Sequence, residues 1–103
     1  MTDQELLELA SKAIGLEEAK MRIEFNQWNP LDDDGDALRL AVKLGIDVVW
    51  ADIGDGPHVL TGNRLGPFSI EKLPIRMFAF DKELAATRRA IVHAAAEIGR
   101  GMK

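Results

Sequence analysis

Four aspartates surround one glycine at Asp32-Asp33-Asp34-Gly35-Asp36. Carboxylates at this density are the side chains that hold hard divalent cations. The EF-hand pattern is the specific form to test, because it fixes oxygen ligands along a twelve-residue loop with glycine at six and glutamate at twelve. With Gly35 at position six, Pro30 falls at position one and Ala41 at position twelve. Neither can act as the side-chain ligand, so the register fails at both ends. A calcium or magnesium site of another kind stays open. The simpler use of these acids is local, since aspartates cap helix N-termini and favour the positive end of the dipole.

The remaining chemical inventory is thin. His58 follows Gly56-Pro57, and His93 stands inside an alanine-rich segment. Zinc sites take three or four side-chain ligands, and this chain has no cysteine to add to its two histidines. His58 could serve as a general base, but no serine or threonine nucleophile is spaced to use it. Gly54-Asp55-Gly56 and Gly62-Asn63-Arg64-Leu65-Gly66 are glycine-rich without matching a phosphate-binding or dinucleotide fingerprint. They read as turns whose tips, Asn63 and Arg64 among them, could touch a partner. Trp28 and Trp50 are candidate interface anchors, a role enriched in tryptophan, although a chain of this size is expected to use both in its core. Arg88 lies on an inward stripe, where it can snorkel or pair with an acid. Arg89 reads as the more exposed of the two. The candidate interface set is therefore Trp28, Trp50, His58, Asn63 and Arg64, with no catalytic, cofactor or metal residue assigned.

These side chains need elements to position them. Thr2 can cap a first helix, with Glu5 three residues on, and Leu6, Leu7, Ala10 and Ile14 recur at helical spacing before Gly15. Met21, Ile23 and Phe25 alternate with polar neighbours and predict a strand that ends before Pro30. A second helix starts at Asp33 or Asp34 and stops at Gly45. Its stripe is Leu38, Ala41, Val42 and Gly45, widened by Ala37, Leu40 and Leu44, so the helix is expected to be mostly buried with a wet edge at Arg39 and Lys43. Residues 46–61 predict a hairpin around Gly54-Asp55-Gly56-Pro57. Residues 62–68 read as a loop and Ser69 to Pro74 is ambiguous. Ile75, Met77 and Ala79 predict a last strand. Asp81 is the expected cap of a third helix that runs to about Ile98, with Gly99 and Gly101 ending it. Leu84, Arg88, Ile91, Ala95 and Ile98 share one face of that helix.

The pattern predicts one domain over residues 1–103, of class α+β, with an antiparallel or mixed sheet of three to four strands covered by helices. Apolar residues make up 47% of the chain, which argues against global disorder. No run reaches the roughly 20 apolar residues of a membrane span, and the acidic start Met1-Thr2-Asp3-Gln4-Glu5 does not fit a signal peptide. A formal charge of -4 argues against nucleic acid, whose binders carry a positive balance or a dense basic patch.

Two blocks resemble a known family. Asn29-Pro30-Leu31 followed by Asp33-Asp34-Gly35-Asp36-Ala37-Leu38-Arg39-Leu40-Ala41 is similar to the recurring signature of the phage ABA sandwich domain family. Ala86-Thr87-Arg88-Arg89-Ala90-Ile91-Val92 with Ala94-Ala95-Ala96-Glu97-Ile98-Gly99 fits as well, and so does the opening Glu5-Leu6-Leu7-Glu8-Leu9-Ala10. The likeness covers nearly the whole chain and is loosest from Val48 to Lys72. It implies a three-layer α/β/α sandwich and a small bacteriophage or prophage protein made in the cytoplasm of the bacterial host. The family brings no activity and no catalytic residue.

Good core-forming patterns beside a poor catalytic inventory lead to one expectation. The chain is read as a non-enzymatic accessory protein that acts by contact with a host or phage protein, without a cofactor and without a membrane. A homodimer is compatible with this reading. The alternatives are a virion structural or assembly component and, further off, a small enzyme or a nucleic-acid-binding protein.

Overall fold

The computed structural model of the protein describes residues 2–15, 28–52, 57–63, 66–72 and 80–101. Helix α1 spans Asp3–Ile14, α2 Asp34–Leu44, and α3 Phe80–Arg100. Strands β1 (Asp47–Asp52), β2 (Pro57–Asn63) and β3 (Gly66–Lys72) form an antiparallel sheet in the order β1-β2-β3. The fold is α+β. The expected strands at Met21–Phe25 and Ile75–Ala79, the turn Gly54–Gly56, and Arg64 lie outside the described residues.

Local chemistry sets the helix ends. Thr2 Oγ1 accepts the backbone N–H of Glu5 at 3.1 Å, which satisfies one of the first-turn donors that have no partner within the helix. Asp33 caps α2 by accepting the N–H of Asp36 at 2.7 Å. Gly45 closes α2 in the left-handed region, φ +66°. Its N–H reaches the Val42 carbonyl and the N–H of Ile46 reaches the Ala41 carbonyl at 2.9 Å. That is the Schellman arrangement, and it turns the chain so that buried Ile46 leads into β1.

Helix α3 is the hub, since α1, α2, β2 and β3 all pack on it. Alanine at 90, 94, 95 and 96 lets these neighbours come close, and all four are buried. The main core joins Leu6, Leu7 and Ala10 of α1, Ala37, Leu40 and Ala41 of α2, and Ile91 and Val92 of α3, with Trp28 beside them. A smaller cluster holds Val59 of β2 against Ala90, with Val48 and Ala86 packed on it. There the Thr61 hydroxyl donates to the Ala90 carbonyl at 3.2 Å, a buried bond between sheet and helix.

Four expectations need correction. First, α2 is not mostly buried: Leu38 is 64% exposed and Val42 74% exposed. The helix meets α3 through its 37, 40 and 41 face, and the expected stripe was centred too far round the helix. Second, the described residues of the expected 62–68 loop are strand. Strand β2 continues to Asn63 and β3 begins at Gly66, with Asn63 paired to Gly66 and a register shift at Thr61/Gly62. Gly62 lies at the register shift and Pro67 on the edge strand β3, positions where a strand tolerates them. Third, Gly99 does not end α3, which runs on to Arg100. A Cβ at Gly99 would lie 1.9 Å from the carbonyl oxygen of Leu9, so this glycine is where α1 and α3 touch. Fourth, α3 starts at Phe80, which places Asp81 in the first turn instead of at the cap.

Candidate functional site

The acidic turn is built into the fold. Asp36 is buried; its Oδ2 accepts the backbone N–H of Asn29 at 2.9 Å and its Oδ1 accepts from Arg39 Nη2 at 2.9 Å. The Asn29 side chain accepts the N–H of Leu31 at 3.1 Å, and its backbone carbonyl takes the N–H groups of Asp32 and Asp33. Asp34 pairs with Arg88 Nη1 at 2.6 Å, while Arg88 Nε donates to the Leu31 carbonyl at 2.8 Å. Arg88 thus ties the turn to α3. Asp33 caps, Asp36 latches, and Asp34 docks. Each of these three carboxylates has a defined structural use.

The surface beside this turn is apolar. A groove of about 570 Å³ runs between α2, β1 and α3. Buried Ala37, Ala41 and Ile91 form its floor, and exposed Leu38 and Val42 form one edge. Trp50 stands on the opposite side. Strand alternation turns Trp50 and Val48 toward α3, since they pair with Val59 and Thr61 on the face that α3 covers. The indole is held there, with Nε1 donating to Thr87 Oγ1 at 3.2 Å, and it is still 53% exposed. The Thr87 hydroxyl in turn donates to the Glu83 carbonyl at 2.8 Å.

The groove's chemistry follows from what its polar groups are doing. Arg88 and Asp34 face each other, and Thr87 serves the indole and its own helix. A small-molecule site of this size normally aims a few convergent polar groups at its ligand. Here Arg88, Asp34 and Thr87 are engaged within the protein, exposed Asp47 is a further polar residue of the lining, and most of the wall is apolar with a fixed tryptophan. Such a surface suits apolar side chains of another polypeptide, and exposed apolar residues grouped this way mark interaction sites.

Of the residues singled out from sequence, Trp50 is the only one among the described residues that lines the groove. Trp28 is 5% exposed and belongs to the main core. His58 is buried and pairs with Ala51 and Lys72 in the ladder, at the register of the sheet face away from α3. Asn63 ends β2, and Arg64 lies outside the described residues. Arg89, read as the more exposed arginine, holds Asp3 of α1 at 2.7 Å. Leu38 and Val42 are the residues sequence reasoning missed. The signal was available: six of the eleven α2 residues are alanine, leucine or valine, more than one core-facing stripe accommodates. A second apolar strip, Val49, Leu60 and Ile70 in direct cross-strand register, lies on the other sheet face, with Val49 and Ile70 exposed.

No family model, curated protein or solved structure matches this chain. Among the described residues no helix is long and apolar enough to cross a membrane, and no group of three or more histidine, cysteine, aspartate or glutamate side chains could hold a metal ion.

Proposed function

We propose that this protein is a non-enzymatic bacteriophage or prophage accessory protein that works by protein–protein contact in the bacterial cytoplasm. The observation that carries the contact reading is the groove, with Leu38, Val42 and Trp50 exposed around an apolar floor. The phage origin rests on the two signature blocks, residues 29–41 and 86–99, read as a member of the phage ABA sandwich family. Under this proposal the sheet lies between helical layers. The packing of α3 on β2 and β3 supports one of those layers.

The contact reading has a direct test. A tagged chain is co-expressed with an untagged copy in a bacterial host and recovered. The wild type is expected to hold a stoichiometric protein, whether host, phage or its own copy, that Val42→Glu loses. Equal recovery with both baits would overturn the reading. Val42 is exposed, so the substitution is expected to leave the melting temperature within the small range usual for surface changes.

A further inference from the structure

We propose that the groove takes a short amphipathic helix of another polypeptide, with apolar anchors at i, i+4 spacing and lysine or arginine flanking them. The inference rests on the docking reading above and names the chemistry of what docks. Charge and shape select it.

The charge is decided by which groups already have partners. Three charged residues line the groove: Asp34, Asp47 and Arg88. Asp34 and Arg88 offset each other at 2.6 Å. Asp47 is exposed where α2 passes into β1, and its carboxylate has no partner among the described residues. Asp81 stands three residues before Leu84 on α3, so it continues the stripe of Leu84, Arg88 and Ile91 beyond the groove. It too is exposed and has no partner among the described residues. Exposed Lys43 and Lys82 do not line the groove, and Arg39 already holds Asp36.

An arriving segment therefore meets two carboxylates without partners, while the one cation of the wall is already paired. Lysine or arginine on that segment is attracted at both places, and an acid is repelled. Rim charges choose partners in this way. The same charges disfavour nucleic acid. They also disfavour a second copy of α2, whose exposed start is Asp32, Asp33 and Asp34.

The helical form follows from shape. Helix α2 offers Ala37, Ala41 and Gly45 at i, i+4 spacing as a low row, beside the raised row of Leu38 and Val42. Rows of this spacing are the ridges and grooves into which the i±4 row of another helix packs. Helix-in-groove recognition reads anchors at the same spacing. Trp50, already held by Thr87, supplies the opposite wall without having to be ordered on binding.

The probe is a synthetic helix without tryptophan, about four turns of alanine and leucine, with leucines at i, i+4 spacing and lysines at each end. One twin carries glutamate for lysine, another serine for leucine. Each is titrated into the full chain and followed by tryptophan emission, which reports Trp50 because Trp28 is already buried. The lysine peptide is expected to bind at about 10–100 µM and to move emission to the blue. The glutamate twin should bind about 10-fold more weakly or worse, since each exposed pair contributes up to about fivefold. The serine twin should not bind. Asp47→Lys and Asp81→Asn should each weaken the lysine peptide about 2- to 5-fold and narrow its advantage over the glutamate twin. Val42→Ser should weaken it about 10-fold or more through lost apolar contact, with unchanged helix content in all three variants.

Three results would overturn the inference: no binding of the lysine peptide, equal binding of the lysine and glutamate peptides, or a preference that both aspartate variants leave intact. A chain that self-associates through Val42 and releases its copy to no peptide also overturns it and gives the groove to a second copy. In each case the docking reading stands if co-expression capture is still lost in Val42→Glu. Capture insensitive to Val42→Glu overturns the docking reading itself.

Discussion

Asp36 shows how one carboxylate can decide the meaning of a sequence motif. It is buried and bonds both to the backbone of Asn29 and to Arg39, so it joins the turn before α2 to the helix itself. Removing it with Asp36→Ala leaves the Asn29 N–H without its acceptor, and the stability loss is expected at about 1–3 kcal/mol. Asp36→Asn keeps an acceptor and should recover part of it. Urea unfolding of the two variants checks the order, and equal losses would mean that the charge on Arg39 dominates. Asp33→Ala removes the cap and should cost about 0.5–2 kcal/mol. Asp33→Ser is expected to restore most of that, because a serine hydroxyl can accept the same N–H.

At the scale of elements, the decisive contact is the crossing of α1 and α3. The close approach of the Leu9 carbonyl to Gly99 leaves no room for a methyl group. Gly99→Ala should therefore push the helices apart and destabilise the protein by about 1–3 kcal/mol, the range for overpacked sites. The gain in helix propensity from glycine to alanine, about 1 kcal/mol, works against this loss and does not cancel it, because the obstacle is backbone. Gly101→Ala is the matched control, with only ordinary contacts beyond 3.5 Å. Thermal melts of the pair should differ, with Gly99→Ala the lower. If Gly99→Ala melted at or above the wild type, α1 would have to sit differently on α3. The same crossing is reinforced at its other end by the Arg89–Asp3 pair, which is partly exposed and adds little by itself.

At the scale of the whole molecule, α1 is part of the core and not an appendage. Leu6 is fully buried and shares the main cluster with α2 and α3. Leu6→Ala should lower stability by about 2–5 kcal/mol, a large part of the roughly 5–15 kcal/mol typical of a domain. A single cooperative unfolding transition, shifted as a whole, is the expected result in urea. A separate early transition would show α1 to be independent. Local signals determined much of this architecture: the Thr2 and Asp33 caps, the Gly45 stop and the β1–β2 hairpin are written in residues that act on their own backbone neighbours. The acidic turn was legible for the same reason, since capping needs only residues a few positions apart. Tertiary structure alone decided that Trp28 is inside and Trp50 outside, that Gly99 is a crossing point within a continuing helix, and that Leu38 and Val42 line a groove instead of filling a core. Periodicity along one helix says which residues share a face. Which face is covered depends on neighbours distant in sequence, and those are fixed only when α2 packs against α3.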